Sequence, residues 1–321
     1  MTATFDSQLS APAAAFGHRL APPGDPLEGE GFERVYEAKI KPELAKCEAA
    51  RQGAMRLFLL AVAAGAVALV LEFAFLGGRV PAITYIGTGV LAFGLGYGPL
   101  AKVAREAKVA VLQALCGPLG VTYSLTGAEP ASWPDYGTLR LLPHHDTRHF
   151  EDFFSGRRGA SDFSLCEARL VAGSGKSRRE VFRGQLFCVT LPRARASTTV
   201  VLRNAGSGWV NRFEAPSGLR EVGLEDPVFN KAFCVFGSDQ VEAREILTPT
   251  FMQRLVDLEA AYAGKHLRCA FEDSRLLIAI EGQDRFEIGS MFSSLEDPAR
   301  VEGIARDLEQ VFKTIDEFQA A

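Results

Sequence analysis

Apolar positions are distributed unevenly along this chain of 321 residues. Between Leu57 and Leu76 twenty residues hold one ionisable side chain, Glu72, and between Val80 and Leu100 none is charged. At about 1.5 Å per helical residue the first run reaches about 30 Å, the thickness of bilayer hydrocarbon. The pattern predicts two membrane-spanning helices, about 57–76 and 80–100, joined by Gly77-Gly78-Arg79. The first run starts too far into the chain and is too long for a cleaved leader. Lys46, Arg51 and Arg56 precede the first span, Lys102, Arg105 and Lys108 follow the second, and the turn carries only Arg79. This asymmetry places both termini on the cytoplasmic side of a multi-pass membrane protein. Small residues recur at helical spacing, Ala61 with Gly65, Ala64 with Ala68 and Gly94 with Gly98, so two backbones can approach closely within one hairpin or between copies. Glu72, near the outer end, is expected to reach interfacial water or Arg79.

On either side of the spans the pattern changes. Residues 1–28, rich in alanine and proline, read as an unpacked, disordered tail. Phe32, Val35, Tyr36, Ile40 and Leu44 follow helical spacing, interrupted at Pro42, and lead into the first span. Lys102 to Leu115 prolongs the second span until Gly117-Pro118, and the two extensions are expected to form a short stalk. Residues 29–119 are thus a helical hairpin. From 120 to 321 the pattern is that of a cytoplasmic α+β domain. Ser164 to Val171 alternates, with Cys166, Ala168 and Leu170 on one face and Glu167 and Arg169 on the other. Further strands are expected at Glu180–Leu191 and Thr198–Leu202, the latter closed by 204–208, and in a hairpin of His266–Phe271 and Arg275–Ile280. Four helix starts are legible, at Asp226-Pro227, Asp239 with Glu242, Thr248-Pro249 and Asp297-Pro298, the third helix ending near Gly264. The last helix carries Val301, Ile304, Leu308, Val311, Ile315 and Phe318 on one stripe.

Composition narrows the function classes. A net charge of -4 and a pI near 5.8 argue against a nucleic-acid partner. Six scattered cysteines form no CxxC pair, so they read as small buried hydrophobes in a reducing compartment rather than as a zinc or dithiol centre.

Several C-terminal segments carry a family resemblance: Glu167-Ala168-Arg169-Leu170, Val181-Phe182-Arg183-Gly184, Leu224 to Asn230, Asp239 to Arg244, and Leu247 to Met252. Over roughly residues 30–318 the chain resembles a bacterial membrane-protein family catalogued as domain of unknown function 3137. The resemblance implies two adjacent spans followed by a cytoplasmic domain, in a bacterial inner membrane, and it carries no catalytic residues.

Four local patterns invite chemistry. Gly173-Ser174-Gly175-Lys176-Ser177 ends like a phosphate-binding loop, but Leu170 stands where the first glycine belongs and a strand follows the lysine, so a hairpin tip is expected. His144, His145, Asp146 and His149 gather metal donors within six residues, and on a helix His145 and His149 would share a face. These four are the candidate metal ligands; a polar surface segment is the preferred reading, with no metal and no cofactor. The pairs Glu151-Asp152, Glu225-Asp226 and Glu272-Asp273 become acid/base candidates only if folding brings them into one cleft; otherwise they are turns and helix caps. Lys176, Arg178, Arg179, Arg183, Arg193 and Arg195 suit anionic lipid, an acidic partner or a charged strand edge.

The sequence therefore points to a non-enzymatic protein anchored in the lipid bilayer, whose α+β domain binds a protein or small ligand and whose hairpin supplies a homo-oligomer contact. Two alternatives stand beside it: a membrane-surface enzyme using the 144–149 segment, and an oligomeric pore or transport accessory.

Overall fold

The computed structural model describes residues 29–76, 81–204, 216–261 and 266–319. The expected tail (1–28), the turn with Arg79, the loop at 205–208, the helix end at Gly264 and the side chain of Phe318 lie outside the described residues. The described residues begin with α1 (Gly29–Val35), a π-helical turn (Tyr36–Ile40) and α2 (Lys41–Leu76), which follow one another without a break. Pro42 accounts for the π turn. A proline ring collides with the carbonyl four residues back, here that of Ala38, and widening the helix relieves the clash without ending it.

The second long helix, α3 (Ala82–Cys116), runs through Pro99 and is followed by a 3-10 turn (Gly117–Leu119). Helices α2 and α3 meet where side chains are smallest: a Cβ on Gly65 would stand 2.5 Å from that of Ala92, and one on Gly96 would stand 3.0 Å from the Phe58 backbone. Gly94 and Gly98, expected to mediate close packing, have nothing within 4 Å and face away from α2. Glu72 accepts a hydrogen bond from the Thr88 hydroxyl at 2.7 Å, so α3 supplies a partner inside the apolar zone.

The remaining elements are β1 (Val121–Ser124), α4 (Trp133–Thr138), β2 (Thr147–Arg158), β3 (Ser161–Ala172), β4 (Arg179–Thr190), β5 (Thr199–Arg203), β6 (Arg220–Glu221), α5 (Pro227–Ala232), β7 (Phe233–Gly237), α6 (Gln240–Ile246), α7 (Pro249–Ala261), β8 (Leu267–Glu272), β9 (Arg275–Glu281) and α8 (Pro298–Gln319). The strands form one antiparallel nine-stranded sheet in the order β1-β2-β3-β4-β9-β8-β5-β7-β6. This is the α+β class the sequence predicts. Both edges are short strands, which limits edge-to-edge pairing. At Gly184 the β9 backbone passes so close that a Cβ would overlap the Ile280 carbonyl, so no other residue fits there without displacing that strand.

Alternation along the strands divides the core in two. Leu165, Phe187, Ile278 and Phe271 point to a large cluster that includes α7, α8 and the inner ends of the hairpin. Cys166, Leu170, Leu186 and Leu277 point the other way, against Trp133, Tyr136, Leu139 and Leu141 around α4. The expected stalk does not stand free. Ile40 and Leu44 before the first apolar run, and Ala107, Val111, Leu112 and Leu115 after the second, are fully buried in the larger cluster. The α8 stripe Val301, Ile304, Leu308, Val311 and Ile315 closes the same core, and Arg158 on β2 pins its end through a bidentate pair with Asp316 and a stack on Phe312.

The predicted helix starts are capped as their sequences require: Asp226 accepts from Val228 and Phe229, Asp239 from Val241 and Glu242, Thr248 from Phe251, and Asp297 from Ala299. The 173–177 segment is a hairpin tip with a 3-10 turn at Gly175–Ser177. The 147–158 stretch is a strand, so His145 and His149 share no helical face.

Candidate functional site

The Glu151-Asp152 pair, ambiguous in the sequence, supplies the centre of the most unusual side-chain cluster. Register between β2 and β3 shifts between Glu151 and Phe154, and Asp152 takes a left-handed backbone conformation, φ 54°, within this bulge. The bulge turns its carboxylate into the larger core, where the residue is 0% exposed. Lys108 of α3 donates to Asp152 Oδ2 at 2.7 Å and to Glu287 Oε1 at 2.9 Å, and Tyr123 of β1 donates to Asp152 Oδ1 at 2.7 Å. Burial works against the Lys108 charge, yet Asp152 and Glu287 hold its ammonium above the usual lysine range. Burial raises the Asp152 carboxyl, with Lys108 and Tyr123 offsetting part of that rise. The Tyr123 hydroxyl is pushed well up by burial and by the neighbouring Asp152 charge, so it stays a donor.

A second buried carboxyl belongs to the same neighbourhood. Glu167 of β3 accepts through Oε1 from the Arg285 backbone N–H at 3.0 Å and from Gln185 of β4 at 3.2 Å. Among the described residues no hydrogen-bond donor reaches its Oε2. Burial pushes its pKa up to about 7, with the nearby Asp152 charge acting in the same direction. Glu167 therefore changes charge near neutrality, beside a fixed ion pair that ties α3 to the sheet. Arg285 continues the chain of polar contacts to Gln310 on α8. The sequence offered one signal for this site: alternation puts Glu167 and Gln185 on the face opposite Cys166 and Leu186, but only the third dimension shows that both faces are covered.

The 144–149 residues take separate roles. Asp146 accepts from the Gly173 backbone N–H at 2.7 Å, His145 lies against the Pro143 carbonyl and the Trp133 ring, and His149 sits on β2 opposite Arg169. Among the described residues no group of three or more His, Cys, Asp or Glu side chains is placed to hold a metal ion. His144 and His145 line an open concavity of about 660 Å³ with Trp133, Arg140 and Arg148, and among the described residues its lining holds no carboxylate. Of the basic cluster, Arg183 pairs with Asp284 at 2.6 Å, and 179–183 runs past the point where β9 pairing stops at Gly184. The cysteines described are free thiols, and burial pushes Cys116 and Cys166 up to about 12.

Comparison with known families bears on kinship. Residues 180–320 match the family described as "Protein of unknown function (DUF3137)". The match runs from β4 through α8, shorter than the 30–318 of the sequence resemblance, and Lys108, Asp152 and Glu167 lie ahead of it. No curated protein matches the chain. One solved structure, described as the crystal structure of the mycobacterial trehalose monomycolate transport factor A, TtfA, aligns over 64% of this chain and 92% of that one, at 11% identity and a TM-score of 0.30. A likeness of that size carries no argument.

Proposed function

We propose that this protein is anchored in a bacterial inner membrane by the α2–α3 hairpin, with both ends cytoplasmic, and that its α+β domain binds a protein or small ligand without turning one over. The observation that supports this reading is the change of environment along a single helix. On α3, Ile83, Ile86, Val90, Leu91 and Leu95 are 60–69% exposed, whereas Leu100, Ala107, Val111, Leu112 and Leu115 are at most 1% exposed. A water-soluble helix does not display such an apolar belt on all sides, and α2 displays a matching one from Leu57 to Phe75. Exposed Arg56, Lys102 and Arg105 lie just inside the belt, where headgroup phosphates would meet them. Because α3 continues as one helix through Pro99 from belt to core and carries Lys108, displacement of the hairpin is coupled to the domain core. Alkaline carbonate extraction tests the anchor: the chain should stay in the pellet, and release into the supernatant would refute it. Crosslinking with mass spectrometry on native membranes then identifies the bound partner.

The glycines that face away from α2 favour a homo-oligomer. Gly87, Gly94 and Gly98 have open space at their Cβ positions and fall on one stripe of α3, a surface that a second hairpin can approach closely. Crosslinked dimers or larger species in membranes are expected, and a purely monomeric pattern would count against this contact and against a pore or transport accessory built from several hairpins.

A further inference from the structure

Outside the hairpin, the exposed large hydrophobics among the described residues are Val228, Val241 and Phe292. Phe292 is the aromatic one, 60% exposed, and it alone of the three touches the hairpin: its ring lies 5.8 Å from that of Phe58, which meets Phe93 at 5.6 Å. The loop that carries it, Ile288 to Leu295, has no charged residue. Ile288, Met291 and Leu295 turn inward and are buried, leaving Phe292 between serines on the outer side.

The loop is also held in place. Arg51 of α2 donates to the Met291 carbonyl at 2.9 Å, its partner Glu48 accepts from the Leu295 N–H at 2.9 Å, and Arg300 of α8 donates to the carbonyls of Ile288 at 3.1 Å and Ser290 at 2.7 Å. The Arg51 guanidinium and the Leu295 N–H hold the Glu48 carboxyl down to about 2, so this clamp stays ionised. Four side chain-to-backbone bonds thus fix an exposed phenylalanine against the inner end of an apolar helix.

We infer that Phe292 and its loop form a second contact with the bilayer, seated at the inner boundary between headgroups and hydrocarbon beside the base of the hairpin. This rests on the membrane reading above. Phe58 and Leu76 are separated by about 27 Å along a helix, close to the hydrocarbon thickness of about 30 Å, so Phe58, and Phe292 beside it, fall at the inner boundary. A phenylalanine on the apolar side of an interfacial segment buries its ring at the headgroup–acyl boundary, the flanking serines tolerate headgroup water, and the apolar surface of Phe292 is continuous with the belt. The contact seats the domain flush on the membrane and fixes its rotation about the hairpin, a restraint that two helices alone leave weaker.

Tryptophan variants of the full-length chain in vesicles test this, read as the emission added over the native Trp133 and Trp209. Phe292→Trp and, as a second probe on the same loop, Ser293→Trp are compared with Val67→Trp at mid-span, using lipids brominated near the headgroup or near mid-bilayer. The added emission at 292 should be quenched roughly twofold more by the shallow quencher than by the deep one, and that at 67 the reverse. Quenching at 67 with none at 292 or 293 overturns the second contact and leaves the anchor standing; if emission at 292 is then also shielded from aqueous acrylamide, a protein covers the loop instead. No quenching at 67 removes the anchor and the inference with it. Should Phe292→Trp fold poorly, Ser293→Trp gives the same reading.

Discussion

Lys108, Asp152 and Glu167 place charge where a core of this size usually has none, and each should answer substitution differently. The raised Glu167 pKa means that the folded protein holds a proton between about 4.5 and 7 that the unfolded chain releases. Stability therefore falls as pH rises through that window, by on the order of 3 kcal/mol once it is crossed. Glu167→Gln removes this dependence: its melting temperature should exceed that of the parent near pH 8 and converge with it near pH 5. A constant offset at both pH values would show that Glu167 is charged throughout. Removing the Lys108 ammonium alone, as Lys108→Met, strands Asp152 without its cation and should cost about 3–5 kcal/mol in chemical denaturation. Adding Asp152→Asn should recover more than half of that loss, because the Lys108–Asp152 pair stabilises by mutual neutralisation and not by its net burial. Such a site is barely legible in sequence. Lys108 reads as one more base flanking a membrane span and Asp152 as part of a turn, since nothing local reveals that a bulge inverts one and a core receives both.

Secondary elements with a full local pattern were legible: the α8 stripe, the four capped helix starts, the β3–β4 and β8–β9 hairpins and the two apolar helices each carry period, cap and turn together. Strand β2 was not, because the bulge at Asp152 breaks the alternation of Phe150, Phe153 and Phe154 and its first half is polar. Short β1, β6 and α4 hold too few residues for a period to emerge. In the hairpin the sequence marked the contacting face of α2, Ala61 and Gly65, but not that of α3. Gly94 and Gly98 point outward, and Gly65 and Gly96 make the close approach. A side chain at Gly65 has no room beside Ala92, so Gly65→Leu should separate α2 from α3 and lower the melting temperature in detergent micelles. Gly89→Ala, off that outward stripe and with nothing within 4 Å, should not lower it; the opposite ranking would contradict this helix register.

At the scale of the molecule, the apolar helices and the domain are one construction. The inner halves of α2 and α3 belong to the domain core, so residues 120–321 alone lack the side chains that cover the larger face of the sheet. Expressed alone, 120–321 should aggregate or expose its core to dye. A chain that keeps 29–56 and 101–321, with a soluble connection replacing 57–100, should remain folded and lose membrane retention. Apolar surface is exposed on the faces of α2 and α3 not turned to each other, beginning at the level of Arg56 and Lys102; the proposed anchor puts the bilayer at that end of the unit and predicts both termini on the domain side. The most direct test of that arrangement is the compartment of the carboxyl end, read with paired fusions after residue 321 to a fluorescent protein that matures only in the cytoplasm and to a phosphatase active only outside it. Fluorescence without phosphatase activity, from membrane-bound protein, is the expected result. Phosphatase activity, or a fluorescent fusion that stays in the supernatant of ultracentrifuged lysate without detergent, would contradict it.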